Sequence, residues 1–207
     1  MQDHLLSATA GCVCSSRPDC GPVLVVGPLS TLGNWLKEAA FWCPHLYTVV
    51  YTGDSAARSL IREHELGTGD MNGGKRRARF DILLTSYDLV TMDGAEILNR
   101  PWECLIVDEG HNRLKKNASR LFSTLFPIST AHRILLTGTP LQNNLSELIS
   151  LLQFIKAGKD VDQLQDDDQE LTAAKAKQIR ELLAPHILRR TLKVSTARLC
   201  SCIEHWS

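Results

Sequence analysis

Two adjacent carboxylates, Asp108 and Glu109, end the apolar run Cys104-Leu105-Ile106-Val107 and are followed by Gly110-His111. Side by side at the end of a buried strand, they carry costs of desolvation and mutual repulsion that something must offset. A hard divalent cation does so naturally, because Mg2+ takes oxygen ligands and bridges to phosphates. In nucleotide-hydrolysing folds the strand-end Asp holds that ion. A neighbouring Glu can then polarise an attacking water as a general base. The plainer alternative is a solvated Asp-Glu turn that caps the next helix.

A second block, Arg133 to Leu148, reads RILLTGTPLQNNLSEL. Its apolar run ends in Thr137-Gly138-Thr139-Pro140, after which Asn144 or Ser146 can cap a helix. Gly138 at a strand-end turn permits close backbone approach to a ligand. The hydroxyls of Thr137 and Thr139 and the amides of Gln142, Asn143 and Asn144 can relay hydrogen bonds from a nucleotide site to a strand-binding surface. An ordinary polar loop is the competing account.

Positioning these groups requires a scaffold, and its outline is readable. Val23 to Val26 is a continuous apolar run broken by Gly27-Pro28. Ser30 or Thr31 can cap a helix carrying Leu32, Trp35, Leu36 and Ala39 on one face. Leu46 to Tyr51 is a second strand, and Asp54 can cap a helix through Arg58, Ile61 and His64. Gly67 to Arg79 is Gly-rich and then basic, as in an exposed loop. Strands follow at Phe80–Thr85, Cys104–Asp108 and Arg133–Thr137, with helices near Asn144–Ile155 and Leu171–Leu183. Short apolar strands alternating with amphipathic helices call for an α/β fold, a parallel sheet with helices on both faces. Ligands of such sheets sit beyond the carboxyl ends of the strands. Residues 1–22 read as a disordered tail and 160–170 as an acidic, solvated loop.

Composition sets wider bounds. In 207 residues, 43% are hydrophobic, 22% are charged and the formal net charge is zero, so one α/β domain with ragged ends is expected and the total charge favours no partner. No run approaches the roughly 18 apolar residues of a membrane span. Leu5 to Cys12 superficially resembles a lipoprotein signal, but Asp3 stands where positive charge belongs and the apolar core is too short. Cys43 and Cys104 lie in apolar stretches and suit a reducing compartment. Cys12, Cys14 and Cys20, or Cys200 and Cys202, match no closed four-ligand zinc spacing. The run Lys75-Arg76-Arg77-Ala78-Arg79 reads as a solvated loop, with a nuclear import signal or phosphate patch as the alternative.

The two blocks resemble the Swi/Snf-type branch of superfamily-two helicases. Asp108-Glu109-Gly110-His111 looks like its motif II and Leu135 to Asn144 like its motif III. Val25 to Leu32 with Asn34-Trp35 looks like motif Ia, Leu83 to Tyr87 like motif Ib, and Leu182 to Arg190 like the segment leaving lobe one. Ala57 to Glu65, Trp102-Glu103-Cys104 and Ala157-Gly158-Lys159 are similar to chromodomain-helicase-DNA-binding remodellers of the PICKLE-like kind. The likeness spans roughly residues 21–194.

This resemblance implies a RecA-like, P-loop NTPase type sheet, with residues 23–192 as a partial first lobe and 193–207 as a divergent tail. It implies ATP and Mg2+ as cofactors, double-stranded DNA and nucleosomes as partners of the parent protein, and a nuclear location. Asp108 would coordinate Mg2+ and Glu109 would activate water. His111 and Gln142, with Thr137, Gly138 and Thr139, would couple the nucleotide to motif III. Ser30, Thr31, Trp35, Thr85, Ser86, Tyr87, Asn143 and Asn144 would lie along the DNA track, where hydroxyls and backbone N–H groups suit phosphate contacts. Plainer readings stand beside these: Trp35 as core, Ser30 as a helix cap, and Thr85-Ser86-Tyr87 as a strand end.

Departures from the family pattern matter as much. The family needs a G-x-x-x-x-G-K-[ST] loop ahead of motif Ia, and this chain has none; Gly74-Lys75 and Gly158-Lys159 are followed by Arg and Asp. In the family the strand feeding that loop lies between the motif II and motif III strands. Its loss is therefore expected to leave a slot in the sheet, unpaired backbone groups and marginal stability. The second lobe, with its arginines, is missing from the chain too, and Asn112 resembles an insertion after His111. Such features suggest a truncated or mis-spliced gene model, or a degenerate copy. Three functions remain in play: a motor ATPase lobe, a non-enzymatic remnant that binds DNA or a partner, and a DEAH-type RNA helicase. Thr137-Gly138-Thr139 argues against the last, which usually has Ser-Ala-Thr there.

Overall fold

The computed structural model describes residues 21–69, 77–110, 114, 119–137, 150–151, 153–155 and 187. The chain divides into two compact units, Met1–Asp166 and Asp167–Ser207. Every element below lies in the first; in the second only Ile187 is described, and it is exposed. The expectations for residues 1–20, 160–170, 171–183 and 193–207 lie outside the described residues.

Five strands build one sheet: β1 (Val23–Gly27), β2 (Thr48–Tyr51), β5 (Ile82–Ser86), β6 (Trp102–Asp108) and β7 (Thr130–Leu136). Their order is β2-β5-β1-β6-β7, and every pairing is parallel. β1 and β5 are buried at every residue, as strands covered on both faces must be. Side chains alternate between two cores. Val23, Val25, Ile82, Leu84, Cys104 and Ile106 pack against Leu32, Trp35 and Ala39 of helix α1 (Leu32–Trp42). Leu24, Val26, Leu83, Leu105 and Val107 pack against the other face, with Tyr87, Leu89 and Val90 of α3 (Tyr87–Met92), Ile97 of α4 (Gly94–Leu98), and Leu121, Phe122 and Leu125 of α5 (Arg120–Leu125). The result is the predicted α/β sheet with helices on both faces. Cys43 and Cys104 are buried, as their apolar surroundings in the sequence led one to expect.

Four local expectations change. The slot between the motif II and motif III strands is closed, because β6 and β7 pair directly from Trp102↔Thr130 to Asp108↔Leu136. Pairing satisfies backbone groups that a gap would leave bare, and this removes the reason given for marginal stability. Neither Ser30 nor Thr31 caps α1: no side-chain cap bond forms, and the Thr31 hydroxyl donates to the Pro28 carbonyl at 2.9 Å. Leu36, expected on the apolar face, is exposed. The Gly67–Arg79 stretch is bounded by a short antiparallel ladder, β3 (Thr68–Gly69) with β4 (Arg77–Ala78). Asp54 does cap helix α2 (Ser55–His64), accepting from the Ala57 N–H at 2.8 Å.

Asp93, between α3 and α4, ties α2 to the sheet. Its Oδ2 accepts from Tyr51 Oη at 2.7 Å and from Arg58 Nε at 2.7 Å, with Arg62 Nη1 at 3.4 Å. Burial raises its pKa, but the hydrogen bonds and the two guanidinium charges outweigh that and leave it below its ordinary value of 3.8. A depressed folded-state pKa stabilises the fold above the unfolded-state value, and that stability is lost as pH falls through the folded one. We expect Asp93→Ala to cost about 1–2 kcal/mol at neutral pH in a urea titration. The gap between the two proteins should narrow below about pH 4.

Candidate functional site

With every strand parallel, the carboxyl ends Gly27, Tyr51, Ser86, Asp108 and Leu136 share one edge of the sheet. Asp108 lies in register with Leu136, the residue before Thr137, so the Asp-Glu pair and Thr137 leave neighbouring strands at the same edge. Thr137 is half-buried. His111, Gly138, Thr139, Gln142, Asn143 and Asn144 lie outside the described residues.

Asp108 is buried, with 9% of its surface exposed. Its Oδ2 accepts a hydrogen bond from the Trp35 indole N–H at 3.1 Å. From the opposite face the Tyr87 hydroxyl donates to its main-chain carbonyl. At the end of β1, Gly27 leaves room above the carboxylate. A Cβ there would come within 3.3 Å of Asp108 Cβ and 3.4 Å of Thr31 Oγ1, and 3.7 Å from Asp108 Oδ2.

Glu109 follows β6 with φ at +51°, the left-handed region that non-glycine residues seldom enter. Such a backbone costs on the order of 1–3 kcal/mol and persists where its surroundings impose it. The turn breaks strand alternation, so the second carboxylate leaves the sheet plane in a new direction. Gly110 then passes so close to β6 and β7 that a Cβ would collide with Val107 Cγ1 and come within 3.0 Å of Leu135 Cδ1. The Leu114 N–H bonds back to the Gly110 carbonyl at 2.8 Å.

Among the described residues no cluster of three His, Cys, Asp or Glu side chains could cage a metal. The donor set is one buried carboxylate with a second beside it. That suits Mg2+, which keeps several waters and takes one or two carboxylates together with substrate phosphates.

The residues assigned to a DNA track divide by burial. Ser30 is exposed and Thr31 half-buried at the turn before α1. Trp35, Thr85, Ser86 and Tyr87 are buried, and their polar atoms are engaged inside the protein. Thr85 Oγ1 donates to the Tyr51 carbonyl at 3.3 Å, and Ser86 Oγ caps α3 by accepting from the Leu89 N–H at 3.4 Å. Trp35 and Tyr87 direct their polar atoms to Asp108, whereas Ser30 and Thr31 lie at the less buried turn before α1. Burial on two packed faces explains the difference. Sequence reasoning gave no part in shaping the site to Gly27 or Gly110; for Gly110 its place directly after Asp108-Glu109 was the available signal, and for Gly27 there was none.

The SNF2-related domain family matches residues 6–206. The chain is 44% identical over 189 residues to the CHD3-type chromatin-remodeling factor PICKLE of Arabidopsis thaliana, covering 83% of this chain and 14% of that protein. It is 44% identical over 184 residues to the chromodomain-helicase-DNA-binding protein 3 homolog of Caenorhabditis elegans, covering 82% of this chain and 10% of the relative. The chain thus spans a small part of these relatives' length. Among solved structures it is similar to the Sulfolobus solfataricus SWI2/SNF2 ATPase core in complex with dsDNA, with a TM-score of 0.67 and 25% identity, covering 91% of this chain and 37% of that one. The parallel sheet with helices on both faces agrees with these likenesses, and the chain belongs to the SNF2-related domain family.

Proposed function

We propose that this chain is a partial first motor lobe of an ATP-dependent chromatin remodeller, whose intact form couples DNA-stimulated ATP hydrolysis to movement along DNA in the nucleus. The register of β6 with β7 carries the reading, because it sets Asp108 beside Leu136, the residue before Thr137. The relatives named as chromatin-remodelling factors, and the SNF2 core solved with double-stranded DNA, support it. Nucleosomes are the corresponding substrate of the parent protein.

In this reading Asp108 holds Mg2+ at the strand end and Glu109 takes the proton of the attacking water. The ion, when bound, neutralises charge developing on the phosphates. Ser30 and Thr31 offer hydroxyls to a DNA backbone, joined by Asn143 and Asn144 beyond Thr137. His111, Gly138, Thr139 and Gln142 relay the nucleotide state to that surface.

The chain's sequence has no phosphate-cradling loop. Several charge-assisted hydrogen bonds, each worth about 1.5–3 kcal/mol, are therefore missing from any ATP complex, which weakens binding by orders of magnitude. We expect the purified chain to show no DNA-stimulated ATP hydrolysis. Turnover should appear when a phosphate-loop segment and a second lobe are supplied in one polypeptide, and Glu109→Gln should then lower kcat by about 10²–10⁴-fold. Full turnover in that Glu109→Gln protein would refute the catalytic assignment, and hydrolysis by the chain alone would refute its incompetence.

A second reading, a non-enzymatic remnant that binds DNA or a partner, is favoured by the direct β6–β7 pairing, which occupies the place where the resemblance puts the phosphate-loop strand. The same fusion separates the two readings, since a remnant would not regain turnover.

A further inference from the structure

We propose that Trp35 is a positioning residue for the metal-binding carboxylate, fixing the rotamer of Asp108 through its indole N–H. The contact joins residues 73 positions apart, buried, at 3.1 Å. Its geometry follows from parity. Cys104 and Ile106 of β6 lie in the core cluster that includes Leu32, Trp35 and Ala39, so Asp108, two residues further on, points to the same face. The Trp35 ring fills the cluster at the end of the sheet, and its one polar atom reaches the carboxylate.

Two further features add to the mount. Tyr87 holds the main-chain carbonyl of Asp108 from the other face, and Gly27 leaves space that a side chain would take. The backbone is thus pinned from one side and the carboxylate from the other.

The choice of donor matters. A buried carboxylate needs hydrogen bonds to offset lost hydration. An arginine or lysine would supply them but would also cancel the charge that attracts a cation. An indole N–H is neutral, so it orients the carboxylate and leaves its charge in place. Serine or threonine would not reach from a helix packed at this distance without giving up the apolar contact.

The inference rests on the reading of Asp108 as a metal carboxylate, and the test separates the two. In the full 207-residue chain, the indole N–H resonances of tryptophan are followed by 15N NMR, with Trp35 assigned by Trp35→Phe. Asp108→Ala should move the Trp35 signal upfield and speed its exchange with water, leaving that of buried Trp102 in place. Mn2+, used as a paramagnetic probe, should broaden Trp35 before Trp102. In Trp35→Phe, Mn2+ affinity, followed by water-proton relaxation, should fall roughly tenfold, the effect of one charge-assisted hydrogen bond. An unchanged Trp35 resonance in Asp108→Ala overturns the hydrogen bond itself. Unchanged Mn2+ affinity in Trp35→Phe overturns the positioning role while the metal reading stands. If Mn2+ broadens neither signal, the metal reading fails and the role falls with it, while a normal Asp108→Ala response would still show the contact.

Discussion

Arg133→Ala is expected to lower stability by about 3 kcal/mol, read as a fall in the urea midpoint without a large change in slope. The Arg133 guanidinium is half-buried, and among the described residues its hydrogen-bond partners are uncharged oxygens. Nη2 donates to the Phe126 and Ile128 carbonyls at 2.8 Å each; Nη1 donates to Leu125 at 3.5 Å and Phe154 at 3.4 Å; and Nε donates to Thr130 Oγ1 at 3.2 Å. The Phe154 ring centroid lies 5.1 Å from the guanidinium carbon and that of Phe126 5.9 Å. Leu125 and Phe126 end α5, so the cation sits where the helix presents its orphan carbonyls and negative dipole end. One planar fork therefore ties the end of α5, the turn into β7 and the helical residue Phe154 together. Burial lowers the guanidinium pKa, though an arginine stays charged over any pH at which the protein is folded.

Controls isolate the cause. Arg133→Met keeps most of the stem's packing and loses every donor, so it should fall close to alanine if the hydrogen bonds dominate. Arg133→Lys keeps the charge but presents a point donor that cannot span four carbonyls, and it should recover less than half of the loss. A lysine variant equal to wild type would show that charge alone is at work.

How far the sequence predicted this arrangement depended on what each residue's neighbours hide. β1 and β5 are apolar on both faces, so Val23–Val26 and Ile82–Leu84 announced themselves. β7 was expected to start at Arg133 yet begins at Thr130, because Thr130, Ala131 and His132 of this edge strand are half-buried or exposed and break the apolar run. The β3–β4 ladder is two residues on each side, too short to show alternation beside a Gly-rich run. Pairing was harder than existence. Sequence identified the β6 and β7 strands, but the expected gap between them closed because adjacent backbone groups gain from meeting.

At the site, helical spacing showed that Trp35 faces the core or a ligand. It could not show that the far end of a strand 73 residues away supplies an acceptor. Asp108 and Glu109 were legible because charge at the end of an apolar run is conspicuous. Thr137 was legible as the polar residue that ends an apolar run, and its neighbour Leu136 pairs with Asp108. The bond from Tyr87 to Asp108 was not legible, because a strand-end tyrosine looks alike in sequence whether its hydroxyl meets DNA or a buried carbonyl.

Gly110→Ala should destabilise the fold by about 2–3 kcal/mol, a cost of overpacking rather than of backbone conformation. Gly110 does not have a positive φ, so alanine could adopt its backbone. Space is what fails. The added methyl would overlap Val107 Cγ1 and crowd Leu135 Cδ1 at 3.0 Å and Leu114 Cδ1 at 3.4 Å, and Val107 and Leu114 are fully buried. Val107 is β-branched with little rotamer freedom, so the strain passes to the end of β6 and to the Asp108 carboxylate. Glu109→Gly is the matched opposite. Its wild-type residue holds φ at +51° with a Cβ, and glycine would relieve that strain, raising stability by roughly 1 kcal/mol while removing the proposed base. Neighbouring positions should therefore respond with opposite signs. If Gly110→Ala were neutral, β6, β7 and the Gly110 turn could not be packed as closely as their register requires. If Glu109→Gly were destabilising, the left-handed turn would be held by the glutamate side chain and not imposed on it.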